Sequence, residues 1–223
     1  MIPWVHLDTA KVPGGGELRL MQRGAEYSIM AGPIELMNSR LSGSEKALAT
    51  LPCARVGARP GVRMLIGGLG MGFTLRAALA DLPPDAGVVV AELVPAVVAW
   101  ARGPMAHIFD GSLTDPRVSV IEDDVGEVIR GSRAAFDAIL LDVDNGPGGL
   151  SREDNDGLYT GAGLAAARRA LRSGGVLAVW SAGPDQGFTA RLRKAGYAVD
   201  EVPVRATGGR RGARHVIWLA TAP

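Results

Sequence analysis

The chain has 223 residues with 24 Lys and Arg against 23 Asp and Glu; a net charge of +1 gives no reason to expect nucleic acid or an acidic surface as partner. Apolar residues make up 47%, enough for one sizeable core, and the lone Cys53 excludes an internal disulfide and a thiolate metal cluster and suits a reducing compartment. The N-terminus lacks a basic-then-apolar leader pattern, and the longest apolar run, Ala86 to Ala101, contains Glu92 and Pro95 and is too short to span a bilayer, so a cytoplasmic protein is expected.

Residues 1–16 carry Pro3, Asp8 and three consecutive glycines and read as a loose arm. Glu17 to Met21 and Tyr27 to Met30 alternate on either side of Arg23-Gly24, as a hairpin does, and Ile34 to Met37 reads as one more short strand. Ser44 precedes a run of helix formers and reads as an N-cap. Pro52 to Pro60 reads as a linker. Strands are then expected at 62–66, 87–92, 117–121, 136–142 and 175–181, alternating with helices at 72–81, 95–102, 124–131, 157–171 and 185–195. Two closing strands, near 197–205 and 214–221, flank Gly208-Gly209-Arg210-Arg211-Gly212 and read as a hairpin that makes an antiparallel edge. Alternating strands and helices predict an α/β, Rossmann-like three-layer sandwich: a mostly parallel seven-stranded sheet ending in an antiparallel hairpin. The expected division is a short N-terminal arm, hairpin and helix (1–50) and a cofactor-binding domain (51–223).

The most informative stretch is Arg63-Met-Leu-Ile-Gly-Gly-Leu-Gly-Met-Gly-Phe-Thr-Leu-Arg76. An apolar strand end runs into Gly68, Gly70 and Gly72 and then into helix formers. Glycines so spaced let the backbone turn sharply and approach a ligand, with the N–H groups of the helix start facing it. A dinucleotide fingerprint would need glycine where Phe73 stands, and no Lys-Ser/Thr pair follows to make a phosphate loop. The spacing that remains is that of class I S-adenosylmethionine (SAM)-dependent transferases. Tight packing alone would also explain a Gly-rich turn.

Ligands of open α/β sheets lie at the carboxyl ends of the strands. The second strand ends at Glu92, inside Val88-Val-Val-Ala-Glu-Leu-Val, where a carboxylate can accept from ribose hydroxyls. The third ends in Glu122-Asp123-Asp124; Asp124, with Asp123 as the alternative, suits an adenine amino group and equally suits a helix N-cap. The fourth ends in Asp142-Val-Asp144-Asn145-Gly-Pro-Gly-Gly149, which sets Asp142 and Asp144 beside the expected cofactor, where carboxylates can hold or deprotonate an acceptor amine. The fifth ends at Trp180, a wall for an acceptor pocket or a core residue. Asp142-x-Asp144 could also serve a metal-dependent glycosyltransferase, but the Gly turn and Glu92 argue against that. With His6, His107 and His215 scattered, no metal site is expected.

Together these residues resemble the spermidine synthase-like branch of the class I SAM-dependent transferases, over about Gly32 to Ala220. The resemblance rests on Gly68-Leu-Gly-Met-Gly-Phe-Thr-Leu-Arg76, Glu92, Asp115-Pro-Arg-Val118 with Asp124, and Phe136-Asp-Ala-Ile-Leu-Leu-Asp142. It implies SAM or decarboxylated SAM as cofactor and an acid at Asp142 that serves the acceptor. Aminopropyltransferases of the family carry an aspartate where this chain has Met71, and a second loop acid where it has Asn145. Their tyrosine-histidine-glutamate signature looks like Gly43-Ser44-Glu45 here. Met71 and Asn145 weaken the case for a polyamine, so methyl transfer to a small-molecule acceptor is the expected reaction, with Asn145 and Trp180 near that acceptor. Aminopropyl transfer from decarboxylated SAM and a non-catalytic SAM-binding module are the alternatives. An amine is among the acceptors considered and a homodimer is compatible; nucleic acid and membrane are not expected.

Overall fold

The computed structural model describes residues 2–143, 147, 157–207 and 212–223. Its main sheet has seven strands: β5 (Arg63–Gly67), β6 (Gly87–Ala91), β7 (Val118–Ile121), β8 (Phe136–Leu141), β9 (Leu171–Ser181), β10 (Ala198–Arg205) and β11 (Arg214–Thr221). Their order across the sheet is β10-β11-β9-β8-β5-β6-β7. The five strands from β9 to β7 run parallel, and β11 pairs antiparallel with both β9 and β10. The expected architecture is therefore present, with the closing hairpin at the edge of the sheet. Within it β11 lies between β9 and β10, so apolar Ile217, Trp218 and Leu219 are buried and the outermost place falls to the more polar β10.

Side-chain alternation separates two cores, one on each face of the sheet. Met64, Ile66, Val88, Val90, Leu140 and Ala178 point to one face, under α1 (Gly43–Val56), α2 (Phe73–Asp81) and α3 (Pro95–Arg102). Leu65, Ile139, Leu141, Leu177 and Val179 point to the other, under α5 (Val125–Arg130), α6 (Gly161–Ala170) and α7 (Gln186–Lys194). All six residues of β8 are buried, as a central strand covered on both faces requires. Burial of each large aliphatic side chain contributes roughly 1.5–3 kcal/mol. A short helix α4 (Ala106–Phe109) and a 3-10 turn (Ser112–Thr114) fill the connection from α3 to β7.

The N-terminal region departs from the sequence reading in three ways. The arm contains a strand, β1 (Val5–Lys11), that pairs antiparallel with β2 (Glu17–Arg23); with β3 (Glu26–Ala31) and β4 (Ile34–Asn38) it completes a four-stranded sheet. β1 alternates apolar and polar residues only over Val5 to Asp8, and it is an edge whose residues other than Ala10 are exposed. Pro52 lies inside α1 rather than in a linker. Its buried stripe of Leu48, Ala49, Pro52, Cys53 and Val56 packs on the sheet and offsets the missing hydrogen-bond donor of the proline. Finally, the residue before α1 is Ser42, which makes no side-chain cap, while Ser44 is buried in the first turn. The expected division after residue 50 falls within α1.

The small sheet is joined to the large one by packing. Leu18, Leu20, Tyr27 and Ile29 enter the same apolar cluster as Leu69, Met71, Val94, Val97 and Phe109. The buried Trp100 on α3 donates its Nε1–H to Asp8 Oδ2 at 2.7 Å, which pins β1 to the main domain.

Candidate functional site

A cavity of about 240 Å³ opens where β5, β6, β7 and β8 end, and the N-terminal sheet roofs it with Leu18, Ile29, Leu36 and Met37. Its floor is the Gly-rich turn, fixed by Gly68 N–H donating to Ala91 O at 2.8 Å and Asp142 N–H to Gly67 O at 3.0 Å. Gly68, Gly70 and Gly72 have φ of 89°, 50° and 73°, a left-handed backbone that favours glycine. Their roles differ. A Cβ at Gly68 would stand 2.5 Å from the Asp142 carbonyl oxygen, and one at Gly72 would overlap the Phe109 ring. Those two glycines are demanded by packing. Gly70 lines the cavity, with only Met37 Sδ, at 3.1 Å, close to where its Cβ would be.

Glu92 is buried at the end of β6. Its Oε2 accepts from Leu69 N–H and its Oε1 from Val94 N–H, both at 2.9 Å. Burial raises its pKa, and the backbone donors act against that rise. The backbone N–H groups of Gly70 and Leu93 also bear on this carboxylate, which lines the cavity. Asp124 caps α5, accepting Glu127 N–H at 3.0 Å, and also lines the cavity. Asp123 is not brought to the cavity: it is exposed and accepts the Asp124 N–H at 2.8 Å. Gly72 faces Phe109 and a neighbouring cavity instead.

That second cavity, of about 310 Å³, lies between α1, the Gly turn and the ends of β9 and β11. Leu36, Met37, Gly70 and Asp142 line both cavities and form the wall between them. Asp142 is half-buried and its Oδ2 accepts the Thr74 hydroxyl at 2.7 Å. Burial, reinforced by the nearby Glu45 carboxylate, pushes its pKa up to about 7, against the lowering effect of Thr74. Trp180 lines the second cavity and stacks edge-on against His215. Asp144 and Asn145 lie outside the described residues.

Glu45 and His215 also line this cavity. Glu45 carried a weak signal through the Gly43-Ser44-Glu45 likeness. His215 carried none, since it reaches the cavity only because β11 is inserted beside β9. Met71, where aminopropyltransferases of the family carry an aspartate, is buried in the core and lines the second cavity. Among the described residues no group of three or more His, Cys, Asp or Glu could hold a metal, and no helix is long and apolar enough to cross a membrane.

No family model matches the chain. A curated relative, the polyamine aminopropyltransferase of Mycobacterium tuberculosis, is 36% identical over 158 residues, 66% of this chain. The match spans only 28% of that relative's length. Among solved structures, spermidine synthase from Thermotoga maritima superposes with a TM-score of 0.77 at 19% identity, covering 98% of this chain and 73% of that one. A spermidine synthase in complex with the transition state analogue AdoDATO gives 0.76 at 18% identity, with 98% and 72% covered.

Proposed function

We propose, for a chain with the spermidine synthase-like fold of the class I SAM-dependent transferases, that it moves a group from an adenosyl sulfonium to an amine. Aminopropyl transfer from decarboxylated SAM is the first reading. The observation that carries it is charge. Glu17, Glu92, Asp124 and Asp142 line the first cavity, and no Lys, Arg or His does so among the described residues. Such a lining suits a ligand that carries a sulfonium and an ammonium, and it offers no cation to the carboxylate that SAM has and its decarboxylated form lacks. The names of the relatives favour the same reading over methyl transfer.

The residues fit an adenosyl group: Gly70 leaves the turn open, Ala91, Leu93, Val94 and Val97 give apolar walls, and Glu92 sets a carboxylate in the lining to face ribose hydroxyls. A bound sulfonium supplies an electrophilic carbon, so the chain has only to align a nucleophile and handle a proton. Asp142, on the shared wall, is placed to hold the acceptor's ammonium against that carbon. Residues up to about 50 act on this reading as a roof over the cofactor domain of 51–223.

Methyl transfer from SAM is the second reading, favoured by Met71, which sets no anion where the family carries one. The test is incubation with putrescine and each cofactor in turn, read by product mass. Spermidine formed with decarboxylated SAM and lost in Asp142→Asn supports the first reading. A product heavier by one methyl, formed only with SAM, supports the second. Cofactor binding with no transfer leaves a binding module.

A further inference from the structure

Ser44 donates its hydroxyl proton to Glu45 Oε2 at 2.8 Å, and its oxygen lies 3.0 Å from His215 Nδ1. A hydroxyl has one proton. Since that proton goes to the carboxylate, the second contact must be donated by Nδ1, which makes His215 the Nδ1–H tautomer and leaves the Nε2 lone pair free. Nε2 has no hydrogen-bond partner among the described residues. The ring is held by Trp180, edge-on with centroids 4.7 Å apart. Ser44, Glu45, Trp180 and His215 line the second cavity together with Asp142.

We propose that His215 Nε2 accepts the proton the acceptor amine sheds, and that Ser44 relays it to Glu45. This rests on reading the second cavity as the acceptor's. In the step, an ammonium N–H bond breaks and an Nε2–H bond forms. Nδ1–H passes its proton to Ser44 Oγ, and the Ser44 proton passes to the Glu45 carboxylate. Nε2–H imidazole and neutral Glu45 remain. The amine nitrogen keeps its electron pair and bonds to the carbon on the sulfonium, and the C–S pair goes to sulfur. Burial raises the pKa of Glu45, which suits it to keep the proton, and lowers that of His215, so the ring passes the proton on and does not hold it as imidazolium. Asp142 then anchors the amine while the relay removes its proton.

The experiment combines spectroscopy and kinetics. The chain has three histidines, so nitrogen-15 imidazole spectra of the full protein assign His215 readily, with His215→Gln as the reference for its signals. The expected result is the Nδ1–H tautomer in the wild type, lost in Ser44→Ala. In the putrescine assay, His215→Gln should lower kcat about 100-fold, the scale of general-base catalysis, with KM changed less than about threefold. An Nε2–H tautomer in the wild type overturns the relay whatever the activity. A correct tautomer with unchanged kcat in His215→Gln overturns the base role. Should His215→Gln not fold, Ser44→Ala stands in its place, and unchanged kcat there has the same meaning. Absence of wild-type transfer from either cofactor defeats the functional reading and the base role with it, while the tautomer still judges the relay.

Discussion

Glu92 holds Leu69: the carboxylate that ends β6 accepts the backbone N–H at the centre of the Gly turn at 2.9 Å. The same side chain ties the turn to the start of α3 through Val94. An acid at this position therefore shapes the cavity floor before any ligand arrives. Glu92→Ala would leave two backbone donors without their partner. It should lower the melting temperature and weaken binding of an adenosyl ligand by about 1.5–3 kcal/mol, the worth of charge-assisted hydrogen bonds. Calorimetry with methylthioadenosine checks this, and wild-type affinity in the variant would rule it out.

The turn glycines should separate by phenotype. Gly72→Ala pushes a methyl group into the buried Phe109 ring at φ of 73°, so it should destabilise the fold by about 2 kcal/mol or more. Gly70→Ala shares the strain of a left-handed backbone, at φ of 50°, but meets only the flexible end of Met37, so it should cost less stability than Gly72→Ala while narrowing the cavity to an adenosyl ligand. Paired melting and binding measurements decide it; equal destabilisation by both substitutions would contradict the distinction.

Asp142 gives a pH signature. Its carboxyl titrates near 3.8 in an unfolded chain and near 7 in the fold. Between those values the folded protein holds a proton that the unfolded chain has released, so this group's contribution to stability is full below about 4 and is lost as pH rises through 7. Asp142→Asn should therefore stabilise the unliganded protein at pH 8, by on the order of 2 kcal/mol, and hardly at all at pH 4. Binding of a cationic amine should run the other way, strengthening as pH rises through 7 and losing that dependence in the variant. Equal melting shifts at both pH values would show that Asp142 is not the group responsible.

Cys53 offers a probe of opening. Burial of this α1 side chain against the sheet, with a smaller contribution from Asp81, pushes its thiol up to about 12. The native protein should resist thiol reagents at pH 8 and react fully in denaturant. Rapid modification of the native protein would mean that α1 leaves the sheet readily.

Much of this was legible in the sequence because the signals are local. The strand-turn-helix with its glycines, Glu92 in an apolar run, and Asp142 directly after the apolar run Ala138 to Leu141 each announce themselves within a few residues. β1 gave only a short sign, Val5 and Leu7 alternating with His6 and Asp8, because an exposed edge needs few apolar side chains. Pro52 concealed the length of α1 because burial outweighed helix propensity. Ser44 read as a cap, yet its hydroxyl is engaged by Glu45 and by His215, 171 positions away. Contacts across such separations arise from sheet order, and no pattern within either segment encodes them.

The insertion of β11 bears on synthesis as well as on the site. The edge of β9 stays open until residues 214–221 have been made, because β10, translated first, pairs with β11 and not with β9. A nascent chain that already holds the Gly turn, Glu92 and Asp142 would still present an unpaired apolar strand to the cell and lack one wall of the second cavity. Ribosome-bound chains arrested shortly before Arg214 should thus bind chaperones that recognise exposed strands, and release them once His215 to Thr221 has emerged.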